Sequence, residues 1–274
     1  MKLNNSQKSF KFYKNKKDNK YYYLLLFVLL IYILFIGSYI YILNKEIKNI
    51  NLNIEKQKEQ NIELEKKLNS ILNSEEYILN NYIKNLDLET DSSITKFLHP
   101  KVSFNNKKYI PKNLEKLGSK YVYDSKGGRQ IIRKVANENL QNLAKDFYKE
   151  FNKRLVVVSA YRSYDYQKGI KDRGCPDNLC SKPGFSEHQS GLAIDLFEVS
   201  SEASWNNNKK LKKYYKWLDE NAYKYGFHNT YQKGLEIDGY EIEPWHWRYL
   251  GKELASYLKE KNITFAEFYF NKNK

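Results

Sequence analysis

The sequence predicts an α+β protein in which a small antiparallel sheet with flanking helices follows an amino-terminal transmembrane helix and a helical stalk. Three observations predict it: an uncharged apolar run near the amino end, a charged segment of helical periodicity, and short β-rich runs that alternate with helical periods. The predicted boundaries are a basic tail at residues 1–20, a membrane anchor at 21–43, a helical stalk and hinge at 44–93, and a folded domain at 94–274.

The apolar run at residues 21–43 is 23 residues long and contains no charge. At a rise of about 1.5 Å per residue, a helix of this length spans a hydrocarbon core of roughly 30 Å. Seven lysines precede the run, which predicts a single-pass protein with a cytoplasmic amino terminus and an extracellular domain. A cleaved signal peptide is the alternative. Because large Tyr and Ile residues follow the only small ones, Gly37 and Ser38, we expect an uncleaved anchor.

The formal net charge of the 274-residue chain is +15, of which residues 1–43 carry +6. Such an excess favours polyanionic surroundings. The basic residues are scattered and no nucleic-acid motif is present, so we expect no nucleic-acid partner. Anionic cell-wall polymers or anionic lipids fit the remaining charge better.

The stalk segment, residues 44–73, carries an apolar pattern with alternating steps of three and four residues. Its apolar positions, separated by the polar pair Gln57 and Asn61, are Ile47, Ile50, Ile54, Leu64, Leu68 and Ile71. This heptad pattern predicts a parallel homodimer, because a core Asn can fix the register of a coiled coil. A single charged helix with chance spacing is the alternative. Residues 77–88 are predicted to continue the helix, and residues 89–93 to form a hinge.

The folded domain is predicted to contain helices at residues 129–151 and 209–225, the second capped by Gly226. Strands are predicted at 155–160, 192–197 and 240–249. Pro244 implies an edge or a bulge in the last of these. Side chains three residues apart on a regular strand point to opposite faces, so a distortion at Pro244 is needed to bring Glu243 and His246 to one cavity.

Two motifs carry the chemistry: PGFSEHQSGLAIDLF at residues 183–197 and YEIEPWHWRY at 240–249. The first offers His188 and Asp195, and the second offers Glu243 and His246. An Asp within an apolar run is costly unless it is paired or bound to a metal. Two imidazoles and one carboxylate leave zinc one open position, as catalysis requires. The motifs therefore predict one Zn²⁺ per chain, bound by His188, Asp195 and His246, with Glu243 as a spare carboxylate for proton transfer.

These motifs, together with YRSYDYQ at residues 161–167, resemble the VanY-type D-alanyl-D-alanine carboxypeptidases, zinc peptidases that trim peptidoglycan stem peptides. The resemblance runs from about residue 97 to about residue 257. It implies a zinc metallo-carboxypeptidase in which Glu243 is the general base and Arg162 polarises the scissile carbonyl. The residues expected to contact the substrate are Tyr161, Gln167, Ser186 and Trp245.

Alternatives stay open at this point. An L,D-carboxypeptidase or an endopeptidase of the same fold differs only in a pocket wall that the sequence does not reveal. A catalytically silent cell-wall-binding module is a third possibility. Residues 227–232 depart from the family pattern, which leaves recognition of the ligand tail and the role of His228 open. His99 is expected to be structural.

Cys175 and Cys180 are the only cysteines, and they lie directly before the metal-binding loop. Outside the membrane, such a pair is expected to oxidise. The disulfide would restrain the loop that approaches the site. A role in metal binding would need further thiol or imidazole partners, and none is free.

Overall fold

A computed structural model describes residues 16–197 and 202–272 of the chain. It divides the chain into two units, Met1–Glu76 and Tyr77–Lys274. The first unit, as far as it is described, is part of one continuous helix, α1 (Lys16–Lys84). The basic tail predicted at residues 1–20 lies mostly outside the described residues.

Helix α1 is long and apolar enough to cross a membrane, as judged by its length and composition. The apolar positions of the stalk, such as Ile47 and Leu64, are exposed on it, so the homodimer stays a prediction. The second unit begins at Tyr77, within the segment that the sequence assigns to the stalk. There, Tyr82 and Ile83 pack against a buried cluster that includes Leu250.

The main sheet has five strands in the order β2-β4-β5-β7-β6, and β1 and β3 form a separate antiparallel pair. The strands are β1 (Leu114–Lys116), β2 (Val122–Asp124), β3 (Ile131–Arg133), β4 (Leu155–Ser159), β5 (Ala193–Leu196), β6 (Phe227–His228) and β7 (His246–Tyr249). The predicted α+β class is confirmed. The prediction of an antiparallel sheet holds for three pairs of the main sheet and is wrong for one, because β2 pairs with β4 in parallel. The intervening β3 and α2 provide the long crossover that parallel pairing requires.

Further helices follow α1 among the described residues. They are α2 (Lys134–Phe151), α3 (Tyr164–Asp172), α4 (Glu202–Asn207), α5 (Lys209–Asn221), α6 (Leu235–Asp238), α7 (Lys252–Lys261) and α8 (Phe265–Lys272), with 3₁₀ turns at Glu187–Ser190 and Ala222–Tyr225. The helix predicted from residue 129 begins only at Lys134, because the preceding residues pair with β1. The helix predicted at 209–225 is α5 plus a 3₁₀ turn, and Gly226 ends it at a φ of 81° as predicted.

The strand prediction for residues 240–249 is wrong over its first half. Only His246–Tyr249 is a strand. The backbone N–H of His246 donates to the carbonyl of Glu243 at 3.1 Å, closing a tight turn through Pro244. This turn, rather than a bulge, positions Glu243 beside the start of β7.

The main hydrophobic core joins α2 and α5 to the sheet through residues such as Phe147 and Leu218. Ile194 and Leu196 of β5 belong to this core. Because side chains alternate along a strand, Asp195 between them points to the opposite face. The core thus determines which side of β5 carries the carboxylate.

Candidate active site

Asp195 and His246 are brought together by strand pairing. In the antiparallel β5–β7 pair they are direct partners. Nδ1 of His246 lies 3.0 Å from Oδ1 of Asp195. The two motifs of the sequence therefore meet in the middle of the sheet.

His188 reaches the same point from the 3₁₀ turn Glu187–Ser190, which ends at Gly191 with a φ of 68°. A Cβ at Gly191 would lie 2.9 Å from the side chain of Leu114, so the turn needs glycine for both its backbone angle and its close packing. Nε2 of His188 lies 3.3 Å from Oδ1 of Asp195. The ligand atoms of His188, Asp195 and His246 lie within 4.8 Å of one another.

The donor set fits a metal ion. Nδ1 of His188 donates to the carbonyl of Ala160 at 2.7 Å, so Nε2 carries a lone pair; this atom is buried and has no hydrogen-bond partner among the described residues. Nε2 of His246 lies 2.8 Å from the carboxylate of Glu187, which leaves Nδ1 to face Asp195. Nε2 of His188, Nδ1 of His246 and a carboxylate oxygen of Asp195 thus converge. Such a set suits zinc, which would bind Nδ1 of His246 in place of a proton.

The pKa values of the three residues follow from burial and the close neighbours. Burial, aided by the nearby Arg162, lowers the pKa of His188 to about 4, so this ring is neutral. Burial opposes protonation of His246, but hydrogen bonds to Asp195 and Glu187 outweigh it and raise its pKa to about 9. Burial also opposes ionisation of Asp195, yet the two imidazoles hold its pKa well below its usual range.

Glu243 lies in the turn before β7, with Oε2 3.9 Å from Nδ1 of His246. The side chain of Asn229 donates to the backbone carbonyl of Glu243 at 2.8 Å. The backbone N–H of Glu243 donates to the carbonyl of Tyr231 at 3.0 Å. Burial and the charge of Asp195 raise the pKa of Glu243 to about 7, against the opposing effect of the His246 charge. A carboxyl with this pKa can both accept and return a proton near neutral pH.

These groups share a cavity of about 160 Å³. It is lined by Arg162, Gln167, Leu179, Cys180, Ser181, Ser186, His188, Asp195, Tyr231, Tyr240, Glu243, Trp245 and His246. Nε of Arg162 is buried and lacks a hydrogen-bond partner within the described ranges. Of the predicted substrate contacts, Tyr161 is not among the lining residues. It lies beside Arg162 in the short connection between β4 and α3.

The predicted disulfide between Cys175 and Cys180 is present. Leu179 and Cys180 form part of the cavity wall. Asn178 ties the loop to the segment before Glu243: it accepts from the N–H of Glu241 at 3.0 Å and donates to that side chain at 2.9 Å. The cross-linked loop therefore restrains one wall of the cavity.

The sequence analysis gives no role to four residues around the site: Glu187 and Tyr240, which lie within the two motifs, and Thr230 and Tyr231, which do not. Tyr231 stacks on the ring of His246, with centroids 4.4 Å apart and planes at 14°. Its position in the divergent segment 227–232 was the only signal that could have marked it. His228 lines a different cavity, and His99 is buried between Phe97 and Phe270.

Comparison with known proteins places these features in a family. A family model described as VanY D-alanyl-D-alanine carboxypeptidase matches residues 129–252. The putative carboxypeptidase YodJ of Bacillus subtilis is 36% identical over 169 residues, which cover 59% of this chain and 62% of that protein. The solved structure of the LdcB LD-carboxypeptidase shares 33% identity at a TM-score of 0.56, covering 65% of this chain and 86% of that one.

The chain belongs to the VanY carboxypeptidase family. A further relative, the D-alanyl-D-alanine carboxypeptidase of Enterococcus faecalis, is 32% identical over 130 residues. That match covers 41% of this chain and 46% of the relative, so the chain spans about half to two thirds of the length of these two curated relatives. The stretch matched by the VanY family model contains His188, Asp195, Glu243 and His246.

Proposed function

We propose that this chain is a membrane-anchored, zinc-dependent D-alanyl-D-alanine carboxypeptidase that removes the terminal D-amino acid from peptidoglycan stem peptides. The observation that carries the proposal is the content of one cavity: the cluster of His188, Asp195 and His246, with Glu243 3.9 Å from the His246 ring and Arg162 on the wall. Membership of the VanY family supports peptide hydrolysis as the reaction class.

His188, Asp195 and His246 would bind the ion. When bound, zinc supplies Lewis-acid polarisation of the scissile carbonyl and lowers the pKa of a water molecule to about 7. The chain keeps both imidazoles available for this task, because Ala160 and Glu187 accept hydrogen bonds from their far nitrogens.

Glu243 would move the protons. It accepts a proton from the attacking water as the new C–O bond forms, and it returns the proton to the leaving amine as the C–N bond breaks. One carboxyl group can serve both steps because they occur in sequence. Its raised pKa, at about 7, reduces the cost of each transfer near neutral pH.

Arg162 would stabilise the negative charge that develops on the carbonyl oxygen. Its guanidinium lines the same cavity, and Nε is buried with no partner in the described part of the chain. A preorganised cation of this kind acts mainly in the transition state, where the charge appears. The proposed substrate contacts also line this cavity; they are Gln167, Ser186 and Trp245.

We also propose that α1 anchors the protein with residues 1–20 in the cytoplasm, residues 21–43 in the membrane, 44–93 as a stalk and 94–274 outside the cell. The lysines before the apolar run support this orientation, and a wall substrate requires it. Anionic wall polymers or lipids, and a second copy of the stalk helix, are the further proposed partners. Release of an ectodomain cleaved just after Ser38 would contradict the anchor.

The test uses the full-length protein in detergent, loaded with zinc and incubated with monomeric muropeptides that end in D-Ala-D-Ala. Mass spectrometry is expected to show loss of one terminal D-alanine. A His188→Ala/His246→Ala double variant is the control and is expected to lose both zinc and cleavage. Binding without cleavage by the zinc-loaded wild type would identify a silent wall-binding module instead.

The second candidate is an L,D-carboxypeptidase, which the likeness to the LdcB LD-carboxypeptidase favours. The same assay distinguishes it when the substrate is a tetrapeptide muropeptide that already lacks the last D-alanine. Cleavage of the tetrapeptide in preference to the pentapeptide would assign L,D activity. Cleavage of cross-linked dimers at an internal bond would assign an endopeptidase.

A further inference from the structure

Glu187 precedes His188 in the chain, but its carboxylate contacts the other histidine, His246. The contact is with Nε2, the ring nitrogen that does not face Asp195. Its side chain is almost completely buried. Oε2 of Glu187 lies 2.8 Å from Nε2 of His246 and accepts from the Thr230 hydroxyl at 2.7 Å. Because an ionised carboxylate only accepts hydrogen bonds, the contact requires a proton on Nε2 of His246.

The buried carboxylate is compensated rather than isolated. Nη1 of Arg248 lies 3.9 Å from Oε1 of Glu187. The guanidinium is held by the carbonyls of Ile94 and Lys96, at 3.2 and 3.3 Å from Nη2. Burying such a pair is costly, and an apolar residue would often stabilise the fold as well or better. The carboxylate supplies what an apolar residue cannot, an acceptor for His246.

Two contacts together restrict the ring of His246. Tyr231 stacks on it with planes at 14°, which restricts its plane. Stacking alone permits a half-turn of the ring that would carry Nδ1 away from Asp195. The hydrogen bond to Glu187 opposes that half-turn. Turning the ring would put a ring carbon in the place of Nε2, and the hydrogen bond to Glu187 would be lost.

We propose that Glu187 is a positioning residue of the metal site. By holding the Nε2–H of His246, it selects the tautomer and ring orientation that present Nδ1 toward Asp195 and His188. The inference rests on the proposed function in one respect, namely that this cluster binds zinc. Thr230 and Arg248 in turn hold Glu187 in place.

The variants are Glu187→Ala, Glu187→Met and Glu187→Gln in the full-length protein in detergent. Ala and Met remove the acceptor, and Met keeps most of the volume. We expect both to weaken zinc binding by about 10–100-fold, the usual effect of losing an outer hydrogen-bond partner. Gln retains an oxygen acceptor and is expected to restore most of the affinity.

Zinc affinity is measured by competition with a chromophoric chelator, and the absorption spectrum of the Co²⁺-substituted protein reports the ligand geometry. Ala and Met are expected to change that spectrum, and Gln to resemble the wild type. The matched control is Asp238→Asn, which alters another buried carboxylate and is expected to leave affinity and spectrum unchanged.

A direct readout needs no variant. In the zinc-loaded wild type labelled with ¹⁵N-histidine, NMR is expected to show His246 protonated at Nε2 and bound to metal through Nδ1. The opposite assignment overturns the inference, as does wild-type affinity and spectrum in a folded Ala or Met variant. If those variants match a wild type that binds zinc and cleaves, this inference alone fails; if the wild type binds no zinc, the proposed function fails with it.

Discussion

At the scale of single residues, the site depends on buried ionisable groups whose pKa values are set by burial and a few charged neighbours. Glu243 illustrates this. The loss of water around its carboxyl and the negative charge of Asp195 raise its pKa, while the His246 charge and Arg162 lower it. Burial contributes most, so the carboxyl remains available for proton exchange near neutral pH.

Glu243→Gln is expected to reduce turnover by roughly 10²–10⁴-fold, the usual contribution of general acid–base catalysis. Gln keeps the size of the side chain but cannot accept the proton. Zinc content is expected to stay unchanged, because Glu243 is not a proposed ligand. Turnover and bound zinc are measured on the same preparation, with the exposed Glu236→Gln as control. Wild-type turnover contradicts the role of a base, and loss of zinc shows that Glu243 is a ligand.

Arg162→Ala is expected to lower kcat/KM by on the order of 10²-fold, which corresponds to about 3 kcal/mol of transition-state stabilisation. Zinc binding is expected to persist, since the guanidinium is not a metal ligand. Arg154→Ala, which removes an arginine that lies over Tyr123, serves as the control. An unchanged kcat/KM in Arg162→Ala would remove this residue from the mechanism.

At the scale of elements, the loop cross-linked by Cys175 and Cys180 contacts both the cavity and the segment before Glu243, which is distant in the sequence. Leu179 and Cys180 line the cavity, and Asn178 bonds to Glu241, two residues before the proposed base. The loop thus connects α3 to the segment that carries Glu243. Its order is expected to matter more for binding than for global stability.

Cys175→Ser/Cys180→Ser is expected to raise KM for the muropeptide several-fold and to change the free energy of unfolding only modestly. The closed loop is short, so the entropic contribution is about 2 kcal/mol. Steady-state kinetics and denaturant unfolding measure the two effects. A large loss of stability with an unchanged KM would show that the cross-link serves the fold rather than the cavity.

At the scale of the whole molecule, the free energy of unfolding is expected to depend on pH, because some buried groups are neutral in the folded protein. His228 is buried outside the active-site cavity, and Gln232 lies 3.2 Å from its Nε2. Burial lowers the pKa of His228 to about 4 from 6.5. Between these values the unfolded chain binds more protons than the folded one, so stability is full above pH 6.5 and falls toward pH 4.

The free energy of unfolding is therefore expected to include a loss of about 2 kcal/mol between pH 7.5 and pH 5 from His228 alone. His228→Asn cannot be protonated and is expected to show a smaller loss. Urea unfolding of the metal-free protein at both pH values measures this, and comparing the two proteins cancels the titration of the other histidines. An equal pH dependence in both would contradict the assignment.

Much of this protein follows from local signals in its sequence. The α+β class, the VanY family and the disulfide were all predicted correctly, because periodic patterns and short motifs are local properties. The same holds for the placement of Asp195: a charge inside the apolar run of residues 192–197 indicates a partner. The metal and base residues of the two motifs remain proposals, but the structure brings all four to one cavity.

Only the tertiary structure decided which residues from distant parts of the chain contact each other at the site. Glu187 contacts His246 across 59 residues of chain and Thr230 across 43, and no local periodicity records such pairs. Tyr161 was expected to contact the substrate because of the family resemblance, yet it is not among the residues that line the cavity. The parallel pairing of β2 with β4 likewise joins residues that are distant in the sequence. Local sequence specifies which groups are present, whereas long-range packing determines which atoms face one another.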